Sequence, residues 1–366
     1  MATEMTKDNN IIKSENNLFD RVASLIENAR KKAATTVNSV MVYTYYGVGK
    51  YIVEFEQNGK VKADYGKQVL INLSLKLTDK FGEGWSEETL KKCRKFFTVY
   101  VEFPTPEKIL TASTDSVYGV DQIHKFSLSW NHYQILMRVK NESARSFYEI
   151  EAYEQQWSVR QLQRQVSSSL FERLALSRDK NEVLKLATEG QKIEKPDDIL
   201  KDPVVLEFVG LKSDTSYSET ALEGAIISKM KDFLLELGKG FLFEARQKRF
   251  TFDEEHFYVD LVFYNRLLQC YVLIDLKTGK LTHQDLGQMQ MYVNYFDRYA
   301  KQDFEKPTIG ILLCETKNDA LVELTLPKDA NIYAQQYAVC LPDKKLLQNK
   351  LREWIAEYNQ QQLSSK

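Results

Sequence analysis

The sequence predicts an α-helical first half joined to an α/β (α+β) second half, in which helices flank a central mixed sheet. Three observations predict this. Apolar residues recur at helical spacing through the first half: Leu18, Val22 and Ile26, then Val69, Leu70, Leu73 and Leu77. After Gly238 and Gly240 the pattern changes to runs rich in aromatic and β-branched residues, 241–252, 257–264 and 269–276. Helical patterns over 218–237 and 285–299 bracket those runs, and further strand patterns follow over 308–314 and 332–339.

In chain order, 18–33 reads as a helix, followed by a Tyr-rich segment over 42–55 that turns at Gln57-Asn58-Gly59. A helix over 65–80 ends at Phe81-Gly82-Glu83-Gly84, because glycine tolerates the left-handed backbone of helix ends. Ser86 then caps a helix whose first turn carries Glu87 and Glu88, suited to its positive end. That helix runs through Leu90, Cys93, Phe96 and Phe97 and shows Lys91, Lys92, Arg94 and Lys95 on its other face. Helix, glycine turn and basic second helix give a helix-turn-helix outline, so these four side chains are candidate nucleic-acid contacts.

The string Trp-Ser-x-x-x-Leu recurs at Trp157-Ser158 and Leu162, between helical patterns over 143–153 and 159–174. Arg160 and Arg164 on the latter are further nucleic-acid candidates. Ser127 or Ser129 caps another helix at Trp130. Basic residues on an amphipathic helix are also what a plain solvated face looks like. A charged, polar stretch marks a boundary, giving a helical domain over 1–180, a linker over 181–205 and an α/β domain over 206–366. A charged helix over 343–358 closes the chain.

Composition narrows the function. The formal net charge is −1, so any attraction to nucleic acid comes from local patches. Four widely spaced cysteines form no C-x-x-C pair, and four histidines no H-x-x-x-H pair, which argues against zinc sites and a disulfide framework. A polar start and the absence of any long apolar run lead us to expect a cytoplasmic protein with no membrane contact.

Chemistry concentrates in two strands. Phe257 to Tyr264 is apolar and aromatic except for Asp260, and Tyr271 to Lys277 ends in Asp275-x-Lys277. A carboxylate within a buried strand costs several kcal/mol (about 3 or more) unless paired or bound to a cation. A short connection at 265–268 makes the two runs a hairpin, which sets Asp260 beside Asp275. Residues i and i+2 of a strand share a face, so Lys277 joins them. Two carboxylates suit Mg2+, with Mn2+ as a substitute, and an ammonium can hold a water or offset phosphate charge, as phosphodiester hydrolysis requires. On the next helix Gln288 and Tyr292 stand i and i+4 on one face. Glu223, on the preceding helix, is a candidate additional metal ligand. Glu244 reads as an exposed strand residue, and Gln247 is open between that and a site role.

Asp260, Asp275-x-Lys277 and Gln288-x-x-x-Tyr292, in that order, resemble the signature of PD-(D/E)XK nucleases. The wider chain is similar to the YhcG-like bacterial family. That likeness rests on Tyr65-Gly66, Phe81-Gly82-x-Gly84-Trp85-Ser86, Leu128 to Tyr133 and Trp157 to Arg160 in the first half. In the second half it rests on Phe233 to Gly238, Phe257 to Leu261, Leu276-Lys277 and Gly287 to Met289. The resemblance implies a helical domain before a restriction-endonuclease-like domain and magnesium-dependent cleavage of DNA, in DNA processing or in defence against foreign DNA. Asp275 stands where glutamate is commoner, and no proline precedes Asp260. A homo-oligomer is expected, because one metal site per chain cuts one strand, and partner proteins from a defence or processing system fit the same reading. A non-catalytic nucleic-acid binder on this scaffold, or a subunit active only within a complex, is the alternative.

Overall fold

The structure is a computed structural model that describes residues 37–57, 63–100, 126–177, 180–212, 216–327 and 329–351. The helix expected over 18–33, most of the turn at 57–59 and the end of the closing helix lie outside the described residues. The chain divides into two compact units between Lys140 and Asn141.

In the first unit, α2 (Ala63–Phe81) and α3 (Glu87–Val99) follow the predicted periodicity, α4 (Trp130–Leu136) follows the cap signal before it, and the Tyr-rich segment lies within a further helix, α1 (37–57). Ile52, Leu70 and Leu90 meet in one apolar cluster lined by Leu73, Leu77 and Trp85. Aromatic rings fill the rest: Phe96 lies 5.0 Å from Phe126 and 5.2 Å from Tyr133 between ring centres. Gly82 ends α2 at φ 81°, a backbone that glycine adopts without the Cβ clash other residues meet. Ser86 caps α3 by accepting the Thr89 amide. Ser129 is the N-cap residue of α4.

The second unit opens with α5 (Glu142–Glu154), α6 (Val159–Ser167), α7 (Leu170–Leu176) and α8 (Lys180–Glu189). Two expectations are corrected here. The helix read over 159–174 breaks at Ser169, whose φ is 55°. The linker read over 181–205 holds most of α8, which packs on α5 and accepts a 2.6 Å hydrogen bond from Ser146 at Ala187. It also holds β1 (Val204–Val205).

Next come α9 (Glu219–Ser228) and α10 (Met230–Leu237), one predicted helix divided at Lys229. Strands β2 (Phe241–Phe252), β3 (Glu255–Asn265) and β4 (Cys270–Lys280) follow as an antiparallel meander. Then α11 (His283–Tyr295) runs into a π-helical turn at Phe296–Ala300, followed by β5 (Ile309–Thr316), α12 (Asp319–Thr325), β6 (Ile332–Ala338) and α13 (344–351). The strand order is β1-β6-β5-β4-β3-β2, with β4, β5, β6 and β1 parallel.

Each sheet face has its own core. Leu261, Phe263, Ile274, Leu276 and Ile311 pack with Leu222, Ile226 and Phe233 of α9 and α10. Val259, Val262, Leu273 and Leu312 pack with Leu286, Met289, Tyr292 and Val293 of α11. Burying one such side chain stabilises the fold by about 1.5–3 kcal/mol, so both helical layers are held firmly to the sheet. No helix of the described residues is long and apolar enough to cross a membrane.

Candidate active site

The β3–β4 ladder runs only from the pair Asn265–Cys270 to the pair Leu261–Ile274. Beyond it β3 pairs with β2 alone, and β4 with β5 alone. One further step of the register sets Asp260 opposite Asp275. The next β4 amide, Leu276 N, donates to Asp260 Oδ2 at 2.8 Å. Side-chain alternation slips at the same place: Val259 and Val262, three apart, both join the α11 core layer. Strict alternation would send them to opposite faces.

Asp275 is buried, and Asp260 stands close enough to act on its carboxyl electrostatically. Burial first, and then the Asp260 charge, push its pKa above the ordinary carboxylate range, against the pull of Lys277. Lys277 Nζ lies 2.8 Å from Asp275 Oδ2. Burial draws the Lys277 ammonium down, but Asp275, Glu219 and Asp285 outweigh it and the net shift is upward. Gln288 donates a short hydrogen bond to the Tyr292 hydroxyl, as the i, i+4 spacing predicts. Burial raises the pKa of that hydroxyl, Gln288 lowers it, and Asp275 and Asp260 raise it further, which brings Tyr292 within electrostatic reach of the acids.

Glu223 stands one side chain removed from the acid pair. Its Oε2 accepts from Gln247 Nε2 at 2.7 Å, and its Oε1 accepts from Arg246 Nε. The same Gln247 nitrogen reaches Asp260 Oδ1 at 2.9 Å. Gln247 has φ 47°, a left-handed backbone uncommon outside glycine, on the strand facing Asp260. Glu244 pairs with Lys248 at 3.0 Å, an exposed strand contact.

Two neighbours of Lys277 were missed in the sequence. Glu219 Oε2 and Asp285 Oδ1 each lie 3.8 Å from its Nζ. Glu219 stands i−4 to Glu223, on the same helix face, and that spacing was a usable signal. Asp285 also ties down the start of α11: its Oδ2 accepts from Thr282 N at 2.8 Å.

Among the described residues no group of three or more His, Cys, Asp and Glu side chains is assembled for a metal. Hard cations such as magnesium need less, binding through one or two carboxylates with waters completing the shell. Asp260 and Asp275 fit that requirement: both are hard oxygen donors, and the Asp260 charge that raises the Asp275 pKa is one a divalent cation would offset.

The basic candidates separate. Lys91 pairs with Glu87 at 2.6 Å, Lys92 with Glu88 at 2.8 Å and Arg94 with Glu56 at 2.8 Å. Surface pairs of this kind are worth about 0–1 kcal/mol, which a phosphate can readily displace. Lys95 and Arg160 are exposed. Arg164 corrects the expectation. Its guanidinium is 14% exposed and forks onto Glu207 at 2.8 and 3.1 Å, with Glu236 at 3.1 Å, so it faces inward.

Comparison with known proteins agrees with this architecture. Residues 21–173 match the DUF1016 N-terminal domain model, and residues 197–352 match the YhcG PDDEXK nuclease domain model. The chain is 36% identical to the "Putative nuclease YhcG" of Escherichia coli (strain K12), over 91% of its own length and 92% of that protein's. The crystal structure of a repair endonuclease from Pyrococcus abyssi overlaps 36% of this chain and 50% of its own, at 16% identity and a TM-score of 0.24, a likeness too slight to argue from. With both family models in sequence along it and a relative matched nearly end to end, the chain belongs to the YhcG family of PDDEXK-superfamily nucleases.

Proposed function

We propose that the protein is a metal-dependent endonuclease that hydrolyses DNA phosphodiester bonds, in DNA processing or in defence against foreign DNA. The observation that supports this most directly is the gathering of Asp260, Asp275 and Lys277 where β3 and β4 part, with Lys277 Nζ 2.8 Å from Asp275. Asp260 and Asp275 would hold the cation, magnesium or manganese. A bound divalent cation supplies Lewis-acid polarisation of a phosphoryl oxygen and offsets charge on the departing oxygen.

The chain's own residues supply the rest. Lys277 has three donors and no acceptor, so it orients the attacking water or meets developing phosphate charge and abstracts no proton while charged. Gln288 and Tyr292 bound the site from α11 and orient what Lys277 holds. Gln247 fixes Asp260, and Glu223 fixes Gln247. Lys91, Lys92, Arg94, Lys95 and Arg160 are placed in the DNA-binding role, acting by phosphate attraction. With one acid pair per chain, duplex cutting calls for a homo-oligomer.

The test is nicking of supercoiled plasmid in magnesium. The parent cuts and chelation stops it, while Asp260→Asn and Lys277→Ala reduce the rate by about 100-fold or more, the scale of lost transition-state stabilisation. Equal cutting by parent and variants would remove the assignment.

A further inference from the structure

Beside the acid site lies a cavity of about 310 Å3 that the reaction above does not use. Phe250 and Phe252 of β2 line one side, and Gly287, Gln290, Met291, Asn294, Tyr295, Arg298 and Tyr299 of α11 and its π-helical end line the other. Two of its rings are exposed: Phe252 is 52% and Tyr299 63% accessible. Phe250 and Tyr295 stack 4.1 Å apart at 23°, and Tyr299 continues the row 5.2 Å from Tyr295. At the rim Gln290 and Asn294 present amide groups, bonded to each other at 3.2 Å, and Arg298 presents an exposed guanidinium.

One layer of packed side chains joins the cavity wall to the acid site. Phe250 meets Tyr292 edge to face at 5.5 Å, and Tyr292 is bonded to Gln288. Along β2, Phe250 is three residues from Gln247, which touches Asp260, a span of about 10 Å. Stacked nucleotides rise about 3.4 Å each and unstacked ones span more, so that distance is at most about three nucleotides.

Gly287 adds a separate indication. It sits inside α11, where glycine is less favourable than alanine, yet a Cβ there would meet nothing within 4 Å. Among the described residues no packing requires the glycine, and its lack of a side chain leaves the helix backbone open at the edge of the cleft.

We infer that this cleft binds an unstacked nucleobase of a single-stranded or splayed DNA segment, a few nucleotides from the bond presented to Asp260 and Asp275. The base lies against the Phe252 and Tyr299 rings, the Gln290 and Asn294 amides meet its polar edge, and Arg298 meets the adjoining phosphate. Stacking of this kind tolerates any base, because every base has a π-face. A duplex offers no free base face to such a cleft, so the substrate carries a frayed, flapped or single-stranded stretch beside the cut. This inference rests on the nuclease reading for why a strand comes here.

The test titrates the full-length protein into a single-stranded oligonucleotide carrying 2-aminopurine, in chelator so that nothing is cut, and then measures cutting in magnesium. The parent quenches the probe. Tyr299→Ala and Phe252→Ala, at exposed positions, weaken binding by about tenfold or more, while Tyr299→Phe binds as the parent does. Unchanged affinity in Tyr299→Ala and Phe252→Ala overturns the inference, as does a parent that cuts duplex but binds no single strand, and either result leaves the nuclease reading standing. Quenching that the variants lose, from a parent that cuts nothing, supports the cleft and removes the nuclease reading.

Discussion

Asp260 accepts the Leu276 amide at 2.8 Å, so a side chain of β3 takes over where the backbone ladder between β3 and β4 has stopped. The carboxylate therefore has a structural role besides the one proposed in chemistry, and substitutions separate the two. Asp260→Asn keeps an acceptor for Leu276 N and should unfold near the parent's midpoint while losing cutting. Asp260→Ala leaves that amide without its acceptor and should cost about 1–3 kcal/mol in addition. Urea denaturation of both variants, beside the plasmid assay, checks this.

Gln247 joins Glu223 to Asp260 through one amide nitrogen, at 2.7 and 2.9 Å. Gln247→Ala releases both carboxylates. Metal affinity should fall by about 10–100-fold, the usual effect of removing a group that orients a ligand. Calorimetric manganese binding measures it, and unchanged affinity would show that the bridge positions nothing.

Glu236 is fully buried between Arg173, at 2.5 Å, and Arg164, at 3.1 Å. Burial alone would raise its pKa, but Arg173, Lys201 and Arg164 outweigh that and hold it down at about 2. A carboxyl with a depressed folded pKa contributes stability that is complete above its unfolded value and is lost as pH falls through the folded one. Stability should therefore drop by about 3 kcal/mol between roughly pH 4.5 and pH 2. Glu236→Gln should cost about 3–5 kcal/mol near neutral pH, by leaving the buried Arg173 without its carboxylate and Arg164 with Glu207 alone. In acid its stability should change less than the parent's. Denaturation midpoints across that pH range decide it.

Arg164→Ala should lower the unfolding midpoint and leave the salt dependence of DNA binding unchanged, because the side chain faces Glu207 and Glu236. Arg160→Ala and Lys95→Ala should do the reverse, each reducing the salt slope by about one. Binding titrations at several ionic strengths distinguish the two kinds of arginine.

A Cβ at Gly310 would lie 2.7 Å from the Met289 side chain and 3.0 Å from Val293, so β5 and α11 touch there. Gly310→Val should cost about 1–3 kcal/mol by overpacking. It should also slow cutting more than it affects DNA binding, since α11 carries Gln288 and Tyr292. A thermal melt and a kcat-against-KM comparison test both parts.

The hairpin and its acids were legible because two apolar runs, each broken by one carboxylate and joined by a short connection, fix their own register. The caps at Ser86 and Ser158 were legible for the same local reason. What was not legible depends on distant partners. Nothing near Arg164 in sequence tells it from Arg160; the difference lies in Glu207 and Glu236, far along the chain. The charges over 181–205 read as solvated linker, yet Lys195 pairs with Glu182 and Asp198 accepts the Glu194 and Lys195 amides. The breaks at Ser169 and Lys229 carry neither glycine nor proline, so periodicity ran straight through them. The left-handed Gln247 is legible only once Asp260 is seen across from it.

Because β3 leaves β4 at Leu261 and continues as a ribbon with β2, the two acids belong to different mechanical pieces. Asp275 and Lys277 are anchored in the sheet, whereas Asp260 rides at the root of a projecting hairpin. The Leu276 N–Asp260 bond and the packing of Phe250 on Tyr292 fix where the ribbon leaves the sheet, so the separation of the two carboxylates is set at that junction.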